Sequence, residues 1–172
     1  MLRFLSIVLL CIAAAVVYGM IHDQITIRVS REFFTVLHPQ ILPEGTSRTV
    51  LALAWGVLAT WWVGLILGIV LALCSCCGKR PKLSARDLVR PIIKLLLVMA
   101  LGAAAAGWIG YCLATHDVLV PSRFVIDNVP SDKIDGVMAA GAAHTTSYTL
   151  GFVGGIVLSI RVWIRRGRMR SA

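Results

Sequence analysis

Four long stretches without a charged side chain constrain this sequence more than any other feature. They cover residues 4–21, 49–78, 95–115 and 136–160, which are 18, 30, 21 and 25 residues long. A helix needs about 20 mainly apolar residues to cross a hydrocarbon core of about 30 Å. Inside lipid such a segment must be helical, because no water satisfies its backbone groups. The sequence therefore predicts an all-α membrane protein, a single-domain bundle of four transmembrane helices.

The composition agrees with this class and argues against a nucleic-acid-binding protein. Only 15% of the 172 residues are charged and 58% are hydrophobic, whereas soluble domains average about 25% charged residues. The net charge is +9, but its distribution follows the predicted membrane topology. The side formed by Arg3, the loop at 79–94 and the tail from Arg161 holds 12 Lys or Arg residues and one acid.

The opposite side holds five bases and seven acids. Because Lys and Arg favour the cytoplasmic side of short loops, both termini are predicted inside. The predicted segments are helix 1 at 4–21, an outer loop at 22–48, helix 2 at 49–74, an inner loop at 75–90, helix 3 at 91–115, a second outer loop at 116–130, helix 4 at 131–163 and a basic tail at 164–172. The tail is predicted to face anionic lipid.

The first outer loop is predicted to be an ordered extracytoplasmic segment. Ile25, Ile27 and Val29 alternate with polar residues, which favours an extended conformation. The first apolar window also resembles the h-region of a signal peptide, but no A-x-A site precedes a polar mature start. An uncleaved first helix is therefore the preferred interpretation.

The five cysteines do not form the framework of a disulfide-stapled protein. Cys74, Cys76 and Cys77 lie at the inner end of helix 2, where thiols stay reduced. Three thiols without a nearby fourth ligand are a weak metal site, so small residues at a helix end are the better interpretation.

Polar residues instead gather at the outer ends of helices 1 and 4. Tyr18 and His22 are four residues apart, as are His144 and Tyr148, so each pair shares a helix face. In antiparallel helices the two histidines reach a similar depth, and a histidine in a membrane helix usually faces the bundle interior or water. The candidate cation ligands are His22, Asp23, Glu32, His38 and His144, and the supporting polar groups are Tyr18, Gln24, Ser147 and Tyr148.

This cluster admits three functions. Imidazoles with carboxylates bind zinc and similar divalent cations, and the preferred hypothesis is a non-enzymatic module that binds such a cation or a small polar ligand. The same groups could relay protons. Alternatively, they only pin the outer loop in a structural or accessory subunit of a membrane complex. The sequence carries no HExxH, P-loop or G-x-S-x-G motif, which weighs against an enzyme.

Two glycine pairs predict places where helices approach closely. Gly64 with Gly68, and Gly151 with Gly155, have the spacing of close-contact helix faces. Such faces suit packing within the chain, a homo-oligomer or another membrane protein.

The segments YGMIHDQITIRVSREFFTVLHP and AHTTSYTLGFVGGIVL, with the helix 2 and inner-loop blocks, also carry a resemblance. They resemble a family of small bacterial four-helix inner-membrane proteins. The resemblance covers most of the chain, implies a bacterial inner membrane and supplies no catalytic residues. The CSCCG segment departs from it.

Overall fold

The computed structural model describes residues 1–169 and is built from helices. They are α1 (Leu2–Val29), α2 (Glu32–Thr35), α3 (Arg48–Leu58), α4 (Trp61–Cys76), α5 (Ala85–Thr115), α6 (Arg123–Asn128) and α7 (Ile134–Arg168), with a 3-10 turn at Ser131–Lys133. Residues 1–169 contain no β-strand, so the predicted all-α class is confirmed. Four segments are long and apolar enough to cross a membrane: α1, α3 with α4, α5, and the turn with α7.

Two antiparallel helix pairs make up the bundle. In the first pair, α1 packs along α3 and α4, and in the second α5 packs along α7. We call the end where α1 begins and α7 ends the basic end, and the opposite end the cluster end. A core of Ile7, Leu71, Leu88 and Val162 closes the basic end, and a core around Ile27, Phe33, Phe34, Leu51 and Ala140 closes the cluster end.

The outer loop begins later than its predicted boundary at residue 22, because α1 continues to Val29. The extended segment predicted from the alternation at 25–29 is therefore wrong. The buried residues here are Asp23, Thr26, Ile27 and Ser30, which follow the spacing of one helix face. Three of these four are polar, so hydropathy alone could not reveal the helical period.

The second predicted helix is interrupted near its middle. The α3 helix ends at Leu58 and α4 begins at Trp61. The Thr60 hydroxyl donates a hydrogen bond to the carbonyl of Gly56 at 2.5 Å, a local bond that competes with the regular helical pattern. The carbonyl of Ala59 lies beside the break and accepts a hydrogen bond from Tyr148 at 3.4 Å.

Two further boundaries differ from those predicted. The inner loop predicted at 75–90 is shorter, because Ser84 and Asp87 form a capping box that starts α5 at Ala85. The tail predicted at 164–172 is helical as far as Arg168, and its residues 170–172 lie outside the described part of the chain.

Candidate functional site

Three potential cation ligands converge at the cluster end. One ring nitrogen each from His22 and His144 and a carboxylate oxygen of Asp23 all lie within 4.8 Å of one another. Two of these residues are consecutive in α1, and the third reaches them across the bundle from α7. Asp23 is only 4% exposed, so the group forms a nearly enclosed polar centre.

The hydrogen bonds of His144 define how its ring is protonated. Its Nδ1 lies 3.0 Å from the carbonyl of Ala140, which can only accept, so Nδ1 carries a proton. Its Nε2 lies 3.1 Å from Oδ1 of Asp23. In the neutral imidazole, this places a lone pair opposite a carboxylate oxygen. With the proton on Nδ1, an additional proton or a cation between the two atoms makes this contact favourable.

The ring of His22 completes the group from the other side. It stacks on Tyr18 with 5.7 Å between ring centroids and meets the His144 ring edge-on at 4.5 Å. Its Nε2 is buried and has no hydrogen-bond partner among the described residues. Most buried polar atoms in proteins are paired, so this nitrogen is a notable exception beside a buried carboxylate.

Tyr18 and Tyr148 lie one helical turn below His22 and His144, as the sequence predicts. The hydroxyl of Tyr18 shares a hydrogen bond of 2.8 Å with Ser147, which joins α1 to α7. Tyr148 joins α7 to the interruption at Ala59. Gln24 is not part of the group, because its amide donates to the carbonyl of Thr49 at the start of α3.

The loop after α1 covers the cluster with aromatic rings. The Phe33 ring lies 4.5 Å from the His144 ring, and the Phe34 ring lies 5.7 Å from it. His38 lies one layer further out, where it packs against Phe33 and Trp55 and its Nδ1 bonds the carbonyl of Phe33. His38 therefore lines the same pocket as Asp23 and His144 but does not belong to the group of three converging ligands.

Glu32 also lies apart from those ligands, because it takes part in the turn that starts α2. Its carboxylate accepts a hydrogen bond from the hydroxyl of Ser30 at 3.2 Å. The same hydroxyl accepts one from the backbone N–H of Phe33. Of the five candidate ligands, the structure thus brings together His22, Asp23 and His144.

The four glycines singled out from the sequence all contact neighbouring helices of the same chain. A Cβ at Gly64 would lie 2.8 Å from the carbonyl oxygen of Cys11, and one at Gly68 would lie 2.9 Å from Cβ of Cys11. At Gly151 and Gly155 the nearest atoms belong to the side chains of Met99 and Leu67. The first pair meets α1 and the second pair meets α5 and α4.

Sequence reasoning missed a buried cation at the basic end. Arg166 is 0% exposed and donates to four backbone carbonyls, those of Pro81, Cys74, Cys77 and Arg80, at 2.6, 2.5, 2.9 and 3.1 Å. Within the run of basic residues that ends α7, no sequence signal distinguishes Arg166 from its exposed neighbours.

Comparison with protein-family models, curated proteins and solved structures finds no match for this chain. The family resemblance seen in the sequence therefore stays a prediction, and any function has to be argued from the cluster itself.

Proposed function

We propose that this is an integral membrane protein whose cluster end binds one divalent cation, with zinc as the best match. The observation that carries the proposal is the convergence of His22, Asp23 and His144 within 4.8 Å. Zinc accepts imidazole nitrogen and carboxylate oxygen at about 2.0–2.2 Å. Tetrahedral ligands at that distance are about 3.3–3.6 Å apart, so small side-chain rotations are sufficient.

The charge balance of the cluster supports the same conclusion. Among the described residues, the ion pair recorded for Asp23 is with His144, and no Lys or Arg approaches the carboxylate. Beside a neutral His144, the buried carboxylate has no compensating charge, which is costly, particularly in a membrane segment. A divalent cation supplies that charge and also removes the conflict between Asp23 and the His144 lone pair.

The surroundings of His144 are also those expected of a metal ligand. Its Nδ1 donates to the Ala140 carbonyl, which directs the Nε2 lone pair towards Asp23. Outer hydrogen bonds of this kind fix the tautomer and orientation of metal-binding histidines. The three protein ligands leave one coordination position for water or a small ligand.

Elemental analysis of the purified protein, after saturation with zinc and removal of excess, tests the proposal. We expect about one zinc per chain, and loss of that zinc in His144→Ala and in Asp23→Asn. His116→Ala is the matched control, because His116 lies at the end of α5 and bonds Cys112. A parent protein that retains no zinc, or a control that loses as much as His144→Ala, contradicts cation binding.

The alternative function is a structural subunit in which the cluster only holds the outer loop. The packing of Phe33 and Phe34 on the His144 ring favours this alternative. In that case His144→Ala lowers the thermal stability of the protein, while the parent protein contains no bound metal.

The membrane assignment extends to orientation and compartment. The excess of basic residues at the basic end supports a cytoplasmic location for both termini, and the sequence resemblance supports a bacterial inner membrane. The α1 helix has 28 residues, about 42 Å at 1.5 Å per residue. It is longer than a hydrocarbon core of about 30 Å, which puts His22 and Asp23 near the outer boundary.

A further inference from the structure

An apolar cavity runs along the centre of the bundle directly below the cluster. It has a volume of about 110 Å³ and is lined from all four spans, from His22 and His144 at one end to Leu71 and Leu158 at the other. Since a water-sized group needs about 10–15 Å³ by this measure, the cavity has room for roughly seven to eleven such groups. His144 and Leu158 are 14 residues apart on α7, about 21 Å at 1.5 Å per residue. The cavity is therefore long and narrow.

A lateral groove lies beside this cavity, on the face of the bundle that meets lipid. The groove has a volume of about 670 Å³ and lies between α1 and α5, with small residues of α7 at its base. Ile25 and Trp108 line it and are 62% and 69% exposed. Tyr18, His22 and Leu96 line both the groove and the cavity. These shared side chains form a single layer between the groove and the cavity, so a flexible chain in the bilayer reaches the cavity where that layer moves aside.

The polar groups where the cavity meets the cluster indicate what kind of head group such a chain carries. Asp23 is the one Asp, Glu, Lys or Arg among the residues that line the cavity. With one divalent cation, one carboxylate and two neutral imidazoles, the cluster has a net charge of +1. Hydroxyl groups of Tyr18 and Ser147 also line this end. Their shared hydrogen bond uses one of the two hydroxyl protons and leaves the other for an anion.

We propose that the cavity binds the hydrocarbon chain of an anionic amphiphile from the bilayer and that the cluster cation holds its head group. This inference rests on the proposed cation site and specifies what that site binds. The chain enters from the groove past Tyr18 and Leu96, where the walls are mostly apolar and the hydrogen bond between Tyr18 and Ser147 is the polar contact that it meets. The head group takes the coordination position that the three protein ligands leave open.

Photolabelling of the full-length protein in phosphatidylcholine nanodiscs tests this proposal. The probe is a ten-carbon fatty acid with a diazirine at its far end, and the matched ten-carbon alcohol is the uncharged control. With zinc bound, we expect the acid to label cavity residues such as Leu67, Leu95 and Met99, and the alcohol to label them about tenfold less. Chelation of zinc should reduce labelling by the acid to the level of the alcohol.

A pair of tryptophan substitutions locates the binding site. Met99→Trp fills the cavity and should abolish its labelling, whereas Leu101→Trp, at a position 72% exposed on the same helix, should leave it unchanged. Labels confined to lipid-facing residues such as Leu101, or equal labelling of the cavity by acid and alcohol in the parent protein, overturn the proposal. Zinc content measured on the same nanodiscs distinguishes failure of the amphiphile site from failure of the cation site. Zinc without cavity labelling would contradict amphiphile binding alone. Absence of zinc would contradict the cation site.

Discussion

Replacement of Arg166 by methionine tests whether a buried guanidinium holds the basic end together. In the structure, Arg166 binds carbonyls from the last turn of α4 and from the inner loop, at Cys74, Cys77, Arg80 and Pro81. No acidic side chain within residues 1–169 forms a salt bridge with it. Its role is therefore to satisfy backbone acceptors that the end of α4 would otherwise leave unpaired.

The expected loss follows from those four hydrogen bonds. A hydrogen bond to a charged group contributes about 1.5–3 kcal/mol, which would give about 6–12 kcal/mol for four. Two effects reduce this sum: burial of the guanidinium itself costs several kcal/mol, and water reaches some loop carbonyls after its removal. We therefore expect Arg166→Met to lower the free energy of unfolding by about 3–5 kcal/mol. Arg166→Lys should lose less, because an ammonium group keeps up to three donors.

Unfolding by SDS titration in mixed micelles, followed by tryptophan fluorescence, measures this change. The Arg166 guanidinium lies 5.9 Å from the Trp163 ring, so a chromophore is located beside the substitution. Arg165→Met removes the same charge from an exposed neighbour and should change stability by less than about 0.5 kcal/mol. Equal losses of stability in the two variants would show that net charge, rather than the buried hydrogen bonds, is responsible. An Arg166→Met variant as stable as the parent would refute the reasoning directly.

Three other outcomes are expected. Gly56→Ala should lower the melting temperature in detergent, because the new Cβ would lie 2.6 Å from the backbone nitrogen of Met20. Gly141→Ala is the control and should be tolerated, because the nearest atom to its Cβ would lie 3.7 Å away. Similar melting temperatures for the two variants would contradict the close contact at Gly56. A thiol reagent applied from outside should label Ser131→Cys and not Ser84→Cys, with the parent as the control, and the reverse pattern would invert the topology. Zinc should slow proteolysis of the loop at residues 38–47 in the parent but not in Asp23→Asn, because cation binding would fix the His144 ring on which Phe33 packs. Equal protection of the loop in both proteins would mean that zinc acts elsewhere.

Much of the architecture could be predicted because lipid restricts the solutions so strongly. Absence of charge over 18 to 30 residues is enough to predict the four helical segments that are long and apolar enough to span a membrane, since a spanning segment must be helical. The interruption at Ala59 and Thr60 could not be predicted, because Thr60 is one hydroxyl residue within an apolar run. Its effect depends on the local bond to Gly56 and on the approach of Tyr148 from another helix.

The candidate site was predictable in part, for a related reason. His22 and His144 were matched by depth alone, and antiparallel packing brings their rings to 4.5 Å. Depth does not predict which side chain of a covering loop points inward, so the sequence leaves Glu32 and His38 as equally good candidates. The turn at Ser30 uses Glu32 for its own hydrogen bond. Phe33, rather than Glu32 or His38, lies against the ring of His144.

The polar residues His22 and Asp23 now have a physical explanation at the end of an apolar helix. Consecutive residues on a helix point about 100° apart. Asp23 therefore faces the core beneath Phe33, while His22 also lines the groove between α1 and α5. His22 thus lies between the cluster and the lipid-facing side of the bundle. Asp23 lies between the cluster and the covering loop. Since His22 and Asp23 are both ligands of the proposed cation site, we expect cation binding to affect the order of the covering loop and access from the bilayer together.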